Sequence, residues 1–150
     1  MSDLKRIFRP EYNQYDGIRP INIYAMRLIF LLMAVFLGYD VWGYIIAYQG
    51  MWFPTEAMDW SVWAAFSLIA ILGIFRTVEM IPVLLVEIAY KLIWLVLVAL
   101  PLWRDGNLTS TTSDGMFLPF ALVVLPMVAV PWGYVFNRYI RGQKAIADNP

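Results

Sequence analysis

Glu87 and Lys91 stand inside a long apolar run, and their spacing is what gives them chemistry. Four residues apart with the acid first, they have the favourable orientation of a helical ion pair. Tyr90 and Trp94 share that flank, so Glu87, Tyr90, Lys91 and Trp94 form a polar-aromatic ridge expected to face protein rather than lipid. An ionised side chain near the middle of a bilayer costs about 2.5–3.5 kcal/mol on insertion scales, so each one needs a partner or a task. Asp40, beside Tyr39 and Trp42 in an earlier apolar run, is a third such group. In the last apolar run, Pro126 and Pro131 each remove one helical hydrogen bond, freeing the carbonyls of Leu122 and Met127. Lys91 has three donors and could serve one of those carbonyls alongside Glu87. A network of Asp40, Glu87 and Lys91 is the expected arrangement. Two readings of it stay open: a lock that fixes helix packing and register, or a small polar cavity that binds a solute, an ion or a proton.

Arg27 and Glu79 also fall in or beside apolar runs, but close to their ends, where long side chains reach the headgroups. Both are read as structural. The loop acids Glu56, Asp59, Asp105 and Asp114 read as helix caps and solvated turns. Asn107-Leu108-Thr109 matches a glycosylation acceptor, a motif short enough to arise by chance.

The composition limits what else is available. Of 150 residues, 61% are apolar and 15% charged, with no cysteine and no histidine. Ordinary soluble domains are about 45–50% apolar and about 25% charged. A soluble domain of this size could not bury so much apolar surface. Disulfides, thiolate chemistry, histidine-based triads and the usual zinc and haem ligands are excluded. A phosphate-cradling glycine loop, a nucleophile elbow and a HExxH motif are absent. No catalytic residue, cofactor or metal site is therefore expected, and an enzyme would have to work with carboxylates and a lysine alone. The formal net charge of zero sets up no field for nucleic acid.

Spans of roughly 20 apolar residues cross a bilayer as helices. Four qualify, at about 21–47, 57–75, 80–103 and 116–136. The expected fold is an all-α integral membrane protein, a four-transmembrane-helix antiparallel bundle with a proline-kinked fourth helix. The membrane domain then covers 21–136, with an N-terminal segment 1–20 and a tail 137–150. The short link after Phe75 predicts a tight hairpin of spans two and three. In the N-terminal segment, Leu4, Ile7 and Phe8 recur at helical spacing among Lys5, Arg6 and Arg9, which reads either as a short interfacial helix or as a solvated tail. Small residues four apart (Ala34/Gly38, Gly43/Ala47, Ser61/Ala65, Ala129/Gly133) permit close helix contact.

Positive charge sets the expected orientation. Lys5, Arg6, Arg9, Arg19, Arg27, Arg76, Arg138, Arg141 and Lys144 fall on one side, and only Arg104 on the other. Both termini are thus expected in the cytoplasm. Tyr44, Tyr48, Trp52, Trp60 and Trp103 mark the outer interface, while Tyr24, Trp132, Tyr134 and Tyr139 mark the inner one. Trp63 and Trp94 sit deeper and read as space-fillers.

The runs Trp60-Ser61-Val62-Trp63-Ala64, Glu87 to Trp94, Pro101-Leu102-Trp103 and Val130-Pro131-Trp132-Gly133-Tyr134-Val135 resemble small uncharacterised four-span inner-membrane proteins of Gram-negative bacteria. The resemblance implies an architecture and a bacterial inner-membrane location. It carries over no site. The first functional expectation is a non-enzymatic membrane subunit or scaffold whose buried Glu87–Lys91 pair fixes helix packing. The second is an oligomeric small-solute or proton-linked transporter or channel using Asp40, Glu87, Lys91 and the kinked fourth helix. Expected partners are the lipid bilayer and other membrane subunits or further copies of this chain.

Overall fold

The computed structural model describes residues 7–11, 15–109 and 115–142. Leu4, Lys5 and Arg6 of the expected interfacial helix lie outside them, as do Asp114 and the tail from residue 143 on. Among the described residues the fold is helical, with one isolated bridge between Glu11 and Ile18.

Three helices are long and apolar enough to cross a membrane: α1 (Pro20–Ala47), α2 (Pro54–Phe75) and α3 (Ile81–Arg104). Each begins with a proline in its first turn, where the missing N–H loses no helical bond. Two shorter helices come next, α4 (Phe117–Ala129) and α5 (Trp132–Ile140), bent by 75° at the break between them. The chain has up to four crossings if that pair makes one span.

The expected fourth span, about 116–136 with a proline kink, corresponds to this bent pair, and its second part reaches Ile140. Pro131 forces Val130 into an extended conformation (φ −66°, ψ 128°), and that rotation ends α4. A second irregularity at Leu122–Val123 precedes Pro126. The helix resumes after Pro131 and runs to Ile140.

At one end of the molecule lie the start of α1, the α2–α3 turn and the α4–α5 break; this is the terminal end. Asn22 Nδ2 donates to the Ala129 carbonyl (2.8 Å) and Arg27 Nε donates to Thr77 Oγ1 (3.2 Å), tying these three regions together. The loop end holds the α1–α2 and α3–α4 connections.

Packing differs sharply between the two ends. The core sits toward the terminal end, where Ile23, Met26, Phe30, Ile81 and Leu84 are fully buried. α1 lies against α2 along its length. Gly73 is where Phe30 crosses α2: a Cβ there would stand 2.5 Å from the ring's Cγ, so only glycine lets the ring in. Gly38 approaches Ser67 in the same seam, and Trp42 Nε1 donates to Ser67 Oγ (3.1 Å). Of the small residues expected at contacts, Gly38 is used this way, while Gly43 and Gly133 face open space. α2 and α3 are joined by a short turn, yet they touch far more lightly than α1 and α2 do.

α1 meets α4 chiefly through Pro20–Leu32 and Val124–Ala129. Beyond Leu32 it leans on α2 instead, whereas Phe117–Ala121 leans on α3. The two therefore diverge toward the loop end and leave a cleft between them.

Candidate functional site

The cleft has a volume of about 670 Å³ and is bordered by α1, α2, α3 and the start of α4. That is within the range of small-molecule pockets. Its walls are largely apolar and aromatic, with Phe36 from α1, Trp60 and Trp63 from α2, and Phe120 from α4. Three charged side chains border it: Asp40, Glu87 and Lys91.

Glu87 and Lys91 project from successive turns of α3, as their spacing requires. Lys91 Nζ donates to Glu87 Oε1 at 2.7 Å. The Glu87 side chain is 4% exposed and that of Lys91 14%. Such a charge-assisted bond is among the stronger kinds. It satisfies one carboxylate oxygen only, for Glu87 Oε2 is buried without a hydrogen-bond partner. A buried acceptor left unpaired costs about 1–3 kcal/mol, and more when it is charged. This is the one such side-chain atom among the described residues.

Asp40 reaches the same cleft from α1 but is exposed, and it makes no hydrogen bond or ion pair among the described residues. The three charged groups are thus gathered in one place while only two are bonded. The indole N–H of Trp42, which could have served Asp40, goes to Ser67.

Tyr90 borders the cleft as well, and its ring lies 5.7 Å from those of Phe66 and Phe120, joining α3 to α2 and α4. Trp94 packs on Phe120 at 4.5 Å, behind the wall rather than in it. Pro126 borders the cleft; Pro131 does not, being at the break before α5. The carbonyls these prolines free are satisfied without Lys91. Leu122 O accepts from Leu125 N–H (2.9 Å), and Met127 O accepts from the Trp132 indole (2.7 Å).

Trp60 and Trp63 matter more here than their sequence reading allowed, since both line the cleft. They also end a run of touching rings from the α1–α2 loop. Tyr48 stacks on Trp52 (3.9 Å), Tyr48 and Trp52 both adjoin Tyr44, Tyr44 stacks on Trp60 (3.9 Å), and Trp60 meets Trp63 edge-on at 5.3 Å. Tyr44 Oη donates to Glu56 Oε1 (2.9 Å), fixing the middle of this run to the first turn of α2. Spacing alone hints at it: Trp60 and Trp63 are three apart, as are neighbours on a helix face.

Arg27 and Glu79, the other two charges expected in or beside apolar runs, are held at the terminal end. Arg27 is bound to Thr77, and Glu79 pairs with Arg76 (3.2 Å) in the exposed α2–α3 turn. Among the described residues no three acidic side chains come together to hold a metal ion. Comparison with family models, with curated proteins and with solved structures finds no match for the chain.

Proposed function

We propose that this protein is a multi-pass membrane protein that binds a small solute within the bilayer and acts as an oligomeric carrier or channel, proton-linked or solute-specific. The observation that carries this reading is the cleft bordered by Asp40, Glu87 and Lys91, with Glu87 Oε2 buried and unpartnered beside it. Irregular backbone and polar groups at membrane depth are tolerated where they line a cavity, and intramembrane charges are functional candidates by default. The proline-broken α4 supplies one wall, so that a shift at its irregular turn would alter the width of the cleft. Asp40, exposed on the α1 wall of the cleft, adds a carboxylate that water or a bound solute would satisfy.

The alternative, a scaffold subunit locked by Glu87 and Lys91, fits the geometry less well. The pair lies within α3, and its bond joins no second helix. The charge asymmetry supports both termini on the cytoplasmic side, since Arg27, Arg76 and Arg138 belong to the terminal end and Arg104 to the loop end.

Reconstitution into vesicles tests the proposal. Wild-type protein should carry at least one member of a broad panel of protons, ions and metabolites faster than protein-free vesicles, and Glu87→Gln should slow that flux at least tenfold. Absence both of flux and of any ligand-dependent thermal shift across the panel would overturn it.

A further inference from the structure

We infer that the cleft selects an organic ammonium ion, an apolar aryl or alkyl body bearing one protonated amine. This rests on the reading of the cleft as a solute site and names the class of solute.

The first consideration is charge. Two carboxylates, Asp40 and Glu87, border the cleft against one ammonium, Lys91, leaving one negative charge uncompensated. Lys91 is already engaged with Glu87 Oε1, so an anionic ligand would have to compete with that bond. Asp40 has no partner at all among the described residues. A ligand that completes this site brings positive charge.

The second consideration is hydrogen bonding. Glu87 Oε2 is an acceptor with no donor. The last side-chain torsion of glutamate is soft, so a small rotation lets the carboxylate hold Lys91 with one oxygen and a ligand N–H with the other. A protonated amine offers both the donor and the charge. A bare divalent cation fits poorly, because calcium takes six to eight oxygen ligands and magnesium an octahedron, whereas most of the wall is hydrocarbon and aromatic ring.

The third consideration is the wall itself. Phe36, Trp60, Trp63, Tyr90 and Phe120 offer ring faces and edges to an apolar body. Aromatic faces attract ammonium groups, most strongly where water is excluded. The run of rings from Tyr48 and Trp52 through Tyr44 to Trp60 continues that character from the loop end into the cleft.

The test uses the full chain in lipid nanodiscs, with empty nanodiscs as the blank. Three probes of similar shape are titrated by calorimetry: 2-phenylethylamine, 2-phenylethanol and 3-phenylpropionate. The amine should bind at least tenfold more tightly than the alcohol, and the carboxylate more weakly still. Glu87→Gln should abolish the preference for the amine over the alcohol. Asp40→Asn, at an exposed side chain that bonds to nothing, should reduce the preference at least threefold and keeps the test decisive if the buried variant fails to fold. Equal binding of alcohol and amine, a preference for the carboxylate, no amine binding, or an unaltered preference in Asp40→Asn would each overturn the inference. The vesicle panel decides separately whether the protein carries a solute, so amine selectivity can fail while that reading stands.

Discussion

At the scale of single residues, Glu87 and Lys91 are unequal partners. Glu87 is the more deeply buried and already has one oxygen unsatisfied. Removing the lysine strands the whole carboxylate. Breaking a buried pair from one side typically costs about 3–5 kcal/mol, whereas replacing both members with neutral groups of similar shape is often close to harmless. Lys91→Met should therefore destabilise the protein by about 3 kcal/mol in thermal or denaturant unfolding in detergent. The double variant Glu87→Gln/Lys91→Met should recover most of that loss. A double variant as unstable as the single one would show that Lys91 contributes through something other than its bond to Glu87. The pair itself is legible in the sequence, because a four-residue spacing on a helix is a local property. The rest of the cleft is not. Phe36 and Trp63 join Glu87 only because three helices happen to present them to the same space, and no local pattern reports that angle. Trp94 shows the converse: it shares the flank of Lys91, yet Phe120 covers it.

At the scale of elements, the break between α4 and α5 is held by side chains rather than by backbone. Met127 O receives the Trp132 indole N–H and Ala129 O receives the Asn22 amide. Such bonds contribute about 0.5–1.5 kcal/mol each, and an acceptor left unmade in a buried place costs more. Asn22→Leu should lower stability by about 1–2 kcal/mol, measured by unfolding in detergent. It should also increase amide exchange in α5 more than in α2. Uniform loosening of both helices would show that Asn22 supports the whole core and not the bend. The first three helices were readable because apolar length is a coarse and robust signal. The prolines announced an interruption in the fourth. Asn22 donates to a carbonyl at that break from 107 positions away, and sequence spacing carries no information about such a contact.

At the scale of the whole molecule, the described chain is packed at one end and open at the other. Fully buried side chains gather toward the terminal end, and the cleft opens beyond Leu32 where α1 and α4 part. If the cleft holds water or solute, residues on its wall meet the aqueous phase although they lie at membrane depth. The chain contains no cysteine, so single-cysteine variants report without background. Trp63→Cys and Asp40→Cys should react with a charged, membrane-impermeant maleimide, and 2-phenylethylamine should protect both. Leu97→Cys, on the exposed apolar side of α3, should stay unreactive because lipid covers it. Equal silence at all three positions would mean that the cleft is closed to water in the membrane.

Within α1, the stretch Met33–Leu37 is a wider π-helical turn, which changes how the helix presents itself to its neighbours. At Met33–Leu37 the backbone closes bonds five residues back, as the Gly38 N–H does to Met33 O. Each such insertion adds a residue and twists the downstream half of the rod by about 100° relative to an unbroken α-helix. Ile23, Met26, Phe30 and Met33 set the buried phase before the wide turn, whereas Gly38 and Val41, five and eight positions past Met33, set it after. One rod thus carries two helical wheels, offset from each other, and a single periodicity drawn through all 28 residues averages them into a stripe that neither half possesses.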